Sequence, residues 1–189
     1  REYSVHHRQL PPLPSHSDQV GGAVRGKVTI HVRNTMKPYV REYQEGDAEA
    51  LAPMLRQADL QELQASSSLP PYAVLKQSAE ESTPACTVIG ASGQVAALFG
   101  AVPSGPPSGI IWLLGSDELV SGATRREFFR QCPTFLRVLH EQYPLLYNYI
   151  DERNTVHIHW LQRMGFTFIA RHPHHGHEQR PFLEFVRLK

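Results

Sequence analysis

The stretch Asn154 to Phe166, Asn-Thr-Val-His-Ile-His-Trp-Leu-Gln-Arg-Met-Gly-Phe, limits the possible folds more tightly than any other part of the chain. It reads as a strand end, a short amphipathic helix and a glycine stop. Asn154 can cap the helix by accepting a backbone N–H two or three residues on, and Gly165 supplies the left-handed residue that ends it. Trp160, Leu161 and Met164 form one apolar stripe between them. Strand patterns at Leu145 to Ile150 and Thr167 to Ala170 flank the helix, so the sequence predicts a β-α-β segment.

The same reading extends upstream. Tyr39 onward predicts a first strand, a turn at Gly46, and a helix that opens with acidic residues where the helix dipole favours them. Leu51, Met54, Leu55 and Ala58 are its expected buried stripe, with Pro53 tolerable only in the first turn or at a bend. Asp59 to Gln64 predicts a second short helix, and Ser66 to Pro71 a break. Cys86 to Ile89 and Gln94 to Ala101 predict a hairpin through Ala91-Ser92-Gly93. Ile110 to Leu114 is apolar enough for a central strand. Thr124 and Glu127 have capping-box spacing, and Phe128, Cys132, Phe135 and Leu139 mark one face of a long helix that Pro133 should kink. The expected fold class is α/β, a mixed sheet flanked by helices.

Residues 1–35 differ in character. Leu10 to Pro14 favours polyproline II and Gly21-Gly22 a flexible joint, while Val28, Ile30 and Val32 alternate as in a short strand that could extend a sheet edge. An extended arm over 1–35 before a domain over 36–189 is expected, with Met36 a conceivable translation start.

Composition narrows the function classes. A 189-residue chain with 41% hydrophobic residues can bury one real core. A net charge of +1 with mixed signs gives no footprint for nucleic acid or an anionic membrane. No apolar run approaches the roughly 20 residues that span a bilayer, and the amino end lacks a signal peptide's apolar core. Cys86 and Cys132 lack metal-type spacing and suit a reducing compartment. His172, His174, His175 and His177 are the densest set of potential ligands. They fall in what should be the loop of the last hairpin, where no fixed metal site is expected.

The β-α-β segment resembles the last such unit of GNAT acyltransferases, whose usual form there is Asn, a small residue, Leu-Tyr, then Gly-Phe. The element order from Tyr39 to the end is also similar to theirs. The resemblance implies a GNAT-like fold and, in a working enzyme, acetyl-CoA held on backbone N–H groups between the fourth strand and the next helix. Only Gly122 with Ala123 resembles that glycine-rich turn. Ser121, Gly122, Arg125, Arg126 and Asn154 are the residues the resemblance offers to acetyl-CoA. Leu161 stands where family enzymes often carry a tyrosine acid, and His157 where they carry a small residue. Glu118, Asp117, His157 and His159 are weak candidates for a general base, and acidic residues before a helix have a structural use as well.

A narrower block, Ile111 to Ile169, is similar to the small GNAT-like internal virion protein of short-tailed phages (podoviruses). Trp112, Ser116-Asp117-Glu118, Arg125-Arg126, Tyr143-Pro-Leu-Leu-Tyr-Asn-Tyr149 and Asn154 to Phe166 carry that likeness in order. It implies a virion protein assembled in the host cytoplasm. Such a protein would contact other virion proteins, through the arm among other routes, and need no cofactor. The alternative is an N-acetyltransferase that moves acetyl from acetyl-CoA to an amine, which requires an open cleft between the Ile110 and Leu145 strands. A third reading is a regulatory module that binds an acyl-CoA without chemistry.

Overall fold

The computed structural model describes residues 36–189, so the arm and its strand pattern at Val28 to Val32 lie outside the described residues. One seven-stranded sheet organises the fold, in the order β1-β2-β3-β4-β5-β7-β6. The strands are β1 (Tyr39–Glu42), β2 (Ala85–Ile89), β3 (Val95–Pro103), β4 (Ser108–Gly115), β5 (Leu145–Asp151), β6 (Thr167–His175) and β7 (Arg180–Leu188). Every neighbouring pair is antiparallel except β4 and β5, which run parallel. The helices are α1 (Asp47–Leu51), α2 (Gln57–Ser66), α3 (Pro71–Glu81), α4 (Gly122–Gln142) and α5 (Thr155–Arg163).

The period of two along β3 and β4 sorts the core onto two faces. Leu98 and Leu114 turn toward α1, α2 and α3, where Leu51, Leu63 and Leu75 pack on them. Phe99 and Ala101 turn the other way, toward Phe128, Cys132, Leu136 and Leu139 of α4. Leu161 of α5 and Phe166 close that second layer over Leu146, Ile150 and Phe185. Both cysteines are free. No helix among the described residues is long and apolar enough to cross a membrane.

The structure departs from the sequence reading in several places. Pro53 ends α1 in a 3-10 turn, Ala52–Met54, because a proline cannot donate to the preceding turn. The turn rotates Met54 outward to 60% exposure while Leu51 and Leu55 stay buried. Pro70-Pro71, read as part of a break, starts α3, with Pro71 at the first helical position where its missing N–H costs nothing. The Thr124–Glu127 capping box does not form. α4 begins earlier, at Gly122, so Thr124 lies inside it and Glu127 pairs with Arg130. The helix then runs unbroken through Pro133. Finally, the histidine run is strand rather than loop as far as His175. Pro173 is tolerated there because β6 is an edge strand, where one N–H faces no partner.

The opening motif forms as read at its end and differently at its start. Phe166 N–H bonds to Leu161 C=O at 3.0 Å and Gly165 N–H to Gln162 C=O at 3.1 Å, the Schellman pattern, with Gly165 at φ +82°. Asn154 sits at the N-cap but makes no capping bond. Its side chain is used elsewhere.

Candidate functional site

β4 and β5 pair only at Ser108, Gly109 and Ile110 against Leu145, Leu146 and Tyr147. Beyond that point they separate, which leaves one edge of β4 facing a split in the sheet. Backbone alternation assigns Ile111, Leu113 and Gly115 to that edge. The chain's own groups take two of the three. Asn148 Nδ2 donates to Ile111 C=O at 2.8 Å. Gly115 N–H donates to Asp59 Oδ2 at 2.9 Å, and Gly115 C=O accepts from Arg56 N–H at 2.9 Å. An isolated antiparallel bridge between Leu55 and Ser116 fixes the start of α2 against the end of β4.

Behind this contact lies a buried polar cluster. Arg56 and Asp59 form an ion pair at 2.6 Å, 7% and 0% exposed. Asn154 Nδ2 donates to Asp59 Oδ1 at 3.3 Å and to Glu62 Oε2 at 2.9 Å, tying α2 to the start of α5. Burial pushes the Asp59 carboxyl above its usual range despite Arg56, the Gly115 N–H and Asn154. Glu62 has protein packed around its carboxyl and keeps some surface toward a cavity. Burial raises it to about 8 against the Asn154 hydrogen bond, with Asp59 and Asp151 adding repulsion. His157 is lowered to about 3 by burial and by the nearby Arg56 charge, so it is a neutral, weakly basic ring at pH 7. Its Nδ1, Asn154 Oδ1 and Trp160 Nε1 are buried without a hydrogen-bond partner among the described residues.

Two cavities flank His157. The larger, 210 Å³, runs through the split and is lined mainly by apolar side chains, with Glu62, Ser66, Ser78 and Asn148 among its polar ones. The second, 170 Å³, lies between the start of α4 and α5, with Leu113, Leu119, Phe128 and Trp160 inside and Arg56, Arg125, His159 and Arg163 around it.

The residues singled out from sequence converge only in part: Arg125, His157 and His159 share the second cavity, and the others lie elsewhere. Glu118 turns away from the split toward the β2–β3 hairpin, accepting from Ser92 N–H at 2.9 Å, Ser92 Oγ at 2.5 Å and Thr124 Oγ1 at 3.2 Å. Burial works against its ionisation, but these hydrogen bonds outweigh it and hold the carboxyl below its usual range. Gly90 lets it in, since a Cβ there would overlap the carboxylate. Glu118 is therefore a structural acceptor rather than a base in the split. Asp117 is exposed beside it, and Ser121 caps α4 by position only. Gly122 is exposed at φ +52°. Arg125 and His159 border the second cavity, whereas Arg126 does not. Asn154 is inside the cluster and His157 between the cavities. Sequence reading missed Arg56, Asp59 and Glu62, the last two read only as part of a short helix, and Asn148.

Among the histidines, His172 Nε2 lies 2.8 Å from Glu184 Oε2, and His175 stacks on Tyr149 with ring centroids 4.5 Å apart. Among the described residues no three His, Cys, Asp or Glu side chains are placed to hold a metal.

The fold has many solved likenesses. A GCN5-related N-acetyltransferase from Kribbella flavida matches with a TM-score of 0.61 at 17% identity, over 81% of this chain and 98% of that one. Ribosomal-protein-alanine N-acetyltransferase from Brucella melitensis gives 0.61 at 15%, over 80% and 99%. Ard1 from Thermoplasma volcanium gives 0.57 at 18%, over 81% and 98%. No curated protein matches by sequence. Residues 86–173 match the family described as "Bacteriophage T7, probable scaffold protein Gp13". The chain has a GNAT-like fold, and over residues 86–173 it is similar to a phage scaffold-protein family. The matched segment of this GNAT-like chain carries β2 to β5, α4, α5 and most of β6, so it includes both strands that border the split. It does not include Arg56, Asp59 or Glu62, which reach the split from α2 and the residue before it.

Proposed function

We propose that this chain is an internal virion or virion-assembly protein that acts through protein contacts and requires no cofactor. One observation carries the reading: the chain's own Arg56, Asp59 and Asn148 occupy the edge of β4 that the split exposes. In the family resemblance that parting of strands admits the pantetheine arm of acetyl-CoA. Here an arm laid along β4 finds Gly115 and Ile111 already bonded, and Leu113 alone turned toward it. The phosphate turn is also unsuited, because Glu118 places a carboxylate 3.2 Å from Thr124 Oγ1 in the first turn of α4. Leu161, 2% exposed in the core, supplies no acid. The residues present do not fit acetyl-CoA.

The family match supports the assembly role, since the matching family is described as a "probable scaffold protein". Residues 1–35 would add contacts on a neighbouring subunit. A GNAT scaffold carries such a role without chemistry, because function resides in the site rather than the fold. The acetyltransferase reading is favoured by the parting of β4 and β5 and by the 210 Å³ cavity there. It requires Asp59 and Asn148 to leave their backbone partners first.

The test is to purify particles from a phage encoding the chain and assay them and the assembly intermediates for it by mass spectrometry. The reading predicts its presence in one or both, with production of infectious particles reduced when the gene is deleted. Absence from both would overturn it.

A further inference from the structure

The second cavity has a chemistry of its own. Its inner surface is apolar, with Leu113, Leu119, Phe128 and Trp160, and Val156 beside it is 55% exposed. Arg125 and Arg163 stand on α4 and α5 at opposite sides, and no carboxylate lines the groove. Among the described residues neither arginine has an acidic partner. Arg56 is neutralised by Asp59, so Arg125 and Arg163 supply the uncompensated charge. His157, 9% exposed, borders the groove with Nδ1 unpartnered. Leu113, whose backbone alternation turns its N–H and C=O toward the split, borders it too.

We propose that this groove is a docking site for an acidic segment of another protein, an apolar side chain seated over Trp160 and carboxylates paired with Arg125 and Arg163. The proposal rests on the assembly reading and names the chemistry of its partner. Charge complementarity selects the occupant: two free arginines on an apolar floor favour a segment that carries both carboxylates and an apolar anchor. The Leu113 backbone pair adds a place for an extended segment to bond, as in strand addition. The β6 edge of the sheet offers no equivalent, because β6 carries Pro173 and two register shifts.

The experiment titrates the full chain, followed by calorimetry and by tryptophan emission, with a blocked peptide Glu-Asp-Leu-Phe-Asp-Glu. A second peptide with lysine at every acidic position, and CoA, are the comparison ligands. The acidic peptide should bind and the basic one should not. Affinity should fall on the order of tenfold or more in the Arg125→Glu, Arg163→Glu double variant and weaken with salt. Arg126→Glu, outside the groove on the same helix, should change it little. No binding of the acidic peptide, equal binding in the double variant, or displacement of the peptide by CoA would overturn the proposal. In phage, incorporation of the double variant at the wild-type level would overturn the groove as the docking site and leave the assembly reading in place. Absence of the wild-type chain from particles and intermediates would overturn that reading, and with it a virion partner for the groove.

Discussion

Asp59 accepts the backbone N–H of Gly115 at 2.9 Å across 56 residues of chain, joining the first turn of α2 to the end of the central strand. The same carboxylate holds Arg56 and receives Asn154. One side chain therefore occupies the Gly115 end of the split, neutralises a buried cation and ties two helices.

Replacing Asp59 by Ala should cost about 3–5 kcal/mol, the usual penalty for leaving one member of a buried ion pair alone. Denaturant unfolding measures it. Exchanging Arg56 and Asp59 together for Met and Leu should cost much less, because it removes both charges. A similar cost for the double variant would show that shape rather than charge carries the contact.

Asn154 separates two roles that sequence could not. As a cap it would be replaceable by Asp or Ser. As a donor to Asp59 and Glu62 it is not, and an aspartate there would put a third carboxylate beside two. Asn154→Asp should therefore be more destabilising than Asn154→Ala, which should cost about 1–2 kcal/mol. The reverse order in thermal unfolding would restore the cap.

The pH profile follows from Glu62 and His157. Glu62 rises from 4.5 to about 8 on folding, so its contribution is complete below pH 4.5 and is lost as pH climbs through 8. His157 falls from 6.5 to about 3, so its contribution is complete above 6.5 and is lost toward pH 3. Burial lowers His140 and His175 in the same direction as His157, and raises Asp59 in the same direction as Glu62. The opposed slopes of Glu62 and His157 offset each other between 4.5 and 6.5, and stability should decline from 6.5 through 8. Glu62→Gln should reduce that decline and steepen the rise up to 6.5. Denaturant midpoints across pH 4.5 to 8.5 check both.

Gly165→Ala should cost about 1–2 kcal/mol, since it forces a Cβ into the left-handed region at φ +82°. Gly105→Ala, at φ +78° in a surface loop with nothing within 4 Å of the added methyl, is the comparison that isolates the backbone cost from crowding.

Periodicity made the element order legible, because apolar stripes such as Phe128, Cys132 and Leu139 can be buried in only one way against a sheet. The Schellman end at Gly165 was legible for the same local reason. What sequence could not supply was long-range polar pairing. Asp59 and Glu62 on α2 look like any solvated acidic helix until the fold carries Gly115 and Asn154 to them. Asn148 reads as a strand residue until β4 and β5 part. Thr124 had the spacing of a cap, yet its hydroxyl serves Glu118 and the Ala91 N–H. Pro-Pro read as a break because a proline that starts a helix and one that ends a segment look alike.

Calorimetric titration of the full chain with acetyl-CoA tests the central claim most directly, beside an Arg125→Glu, Arg126→Glu variant. The closed edge of β4 predicts no heat and no thermal stabilisation at millimolar cofactor. Micromolar binding that disappears in the variant would contradict it and make the split a working acyl-CoA site.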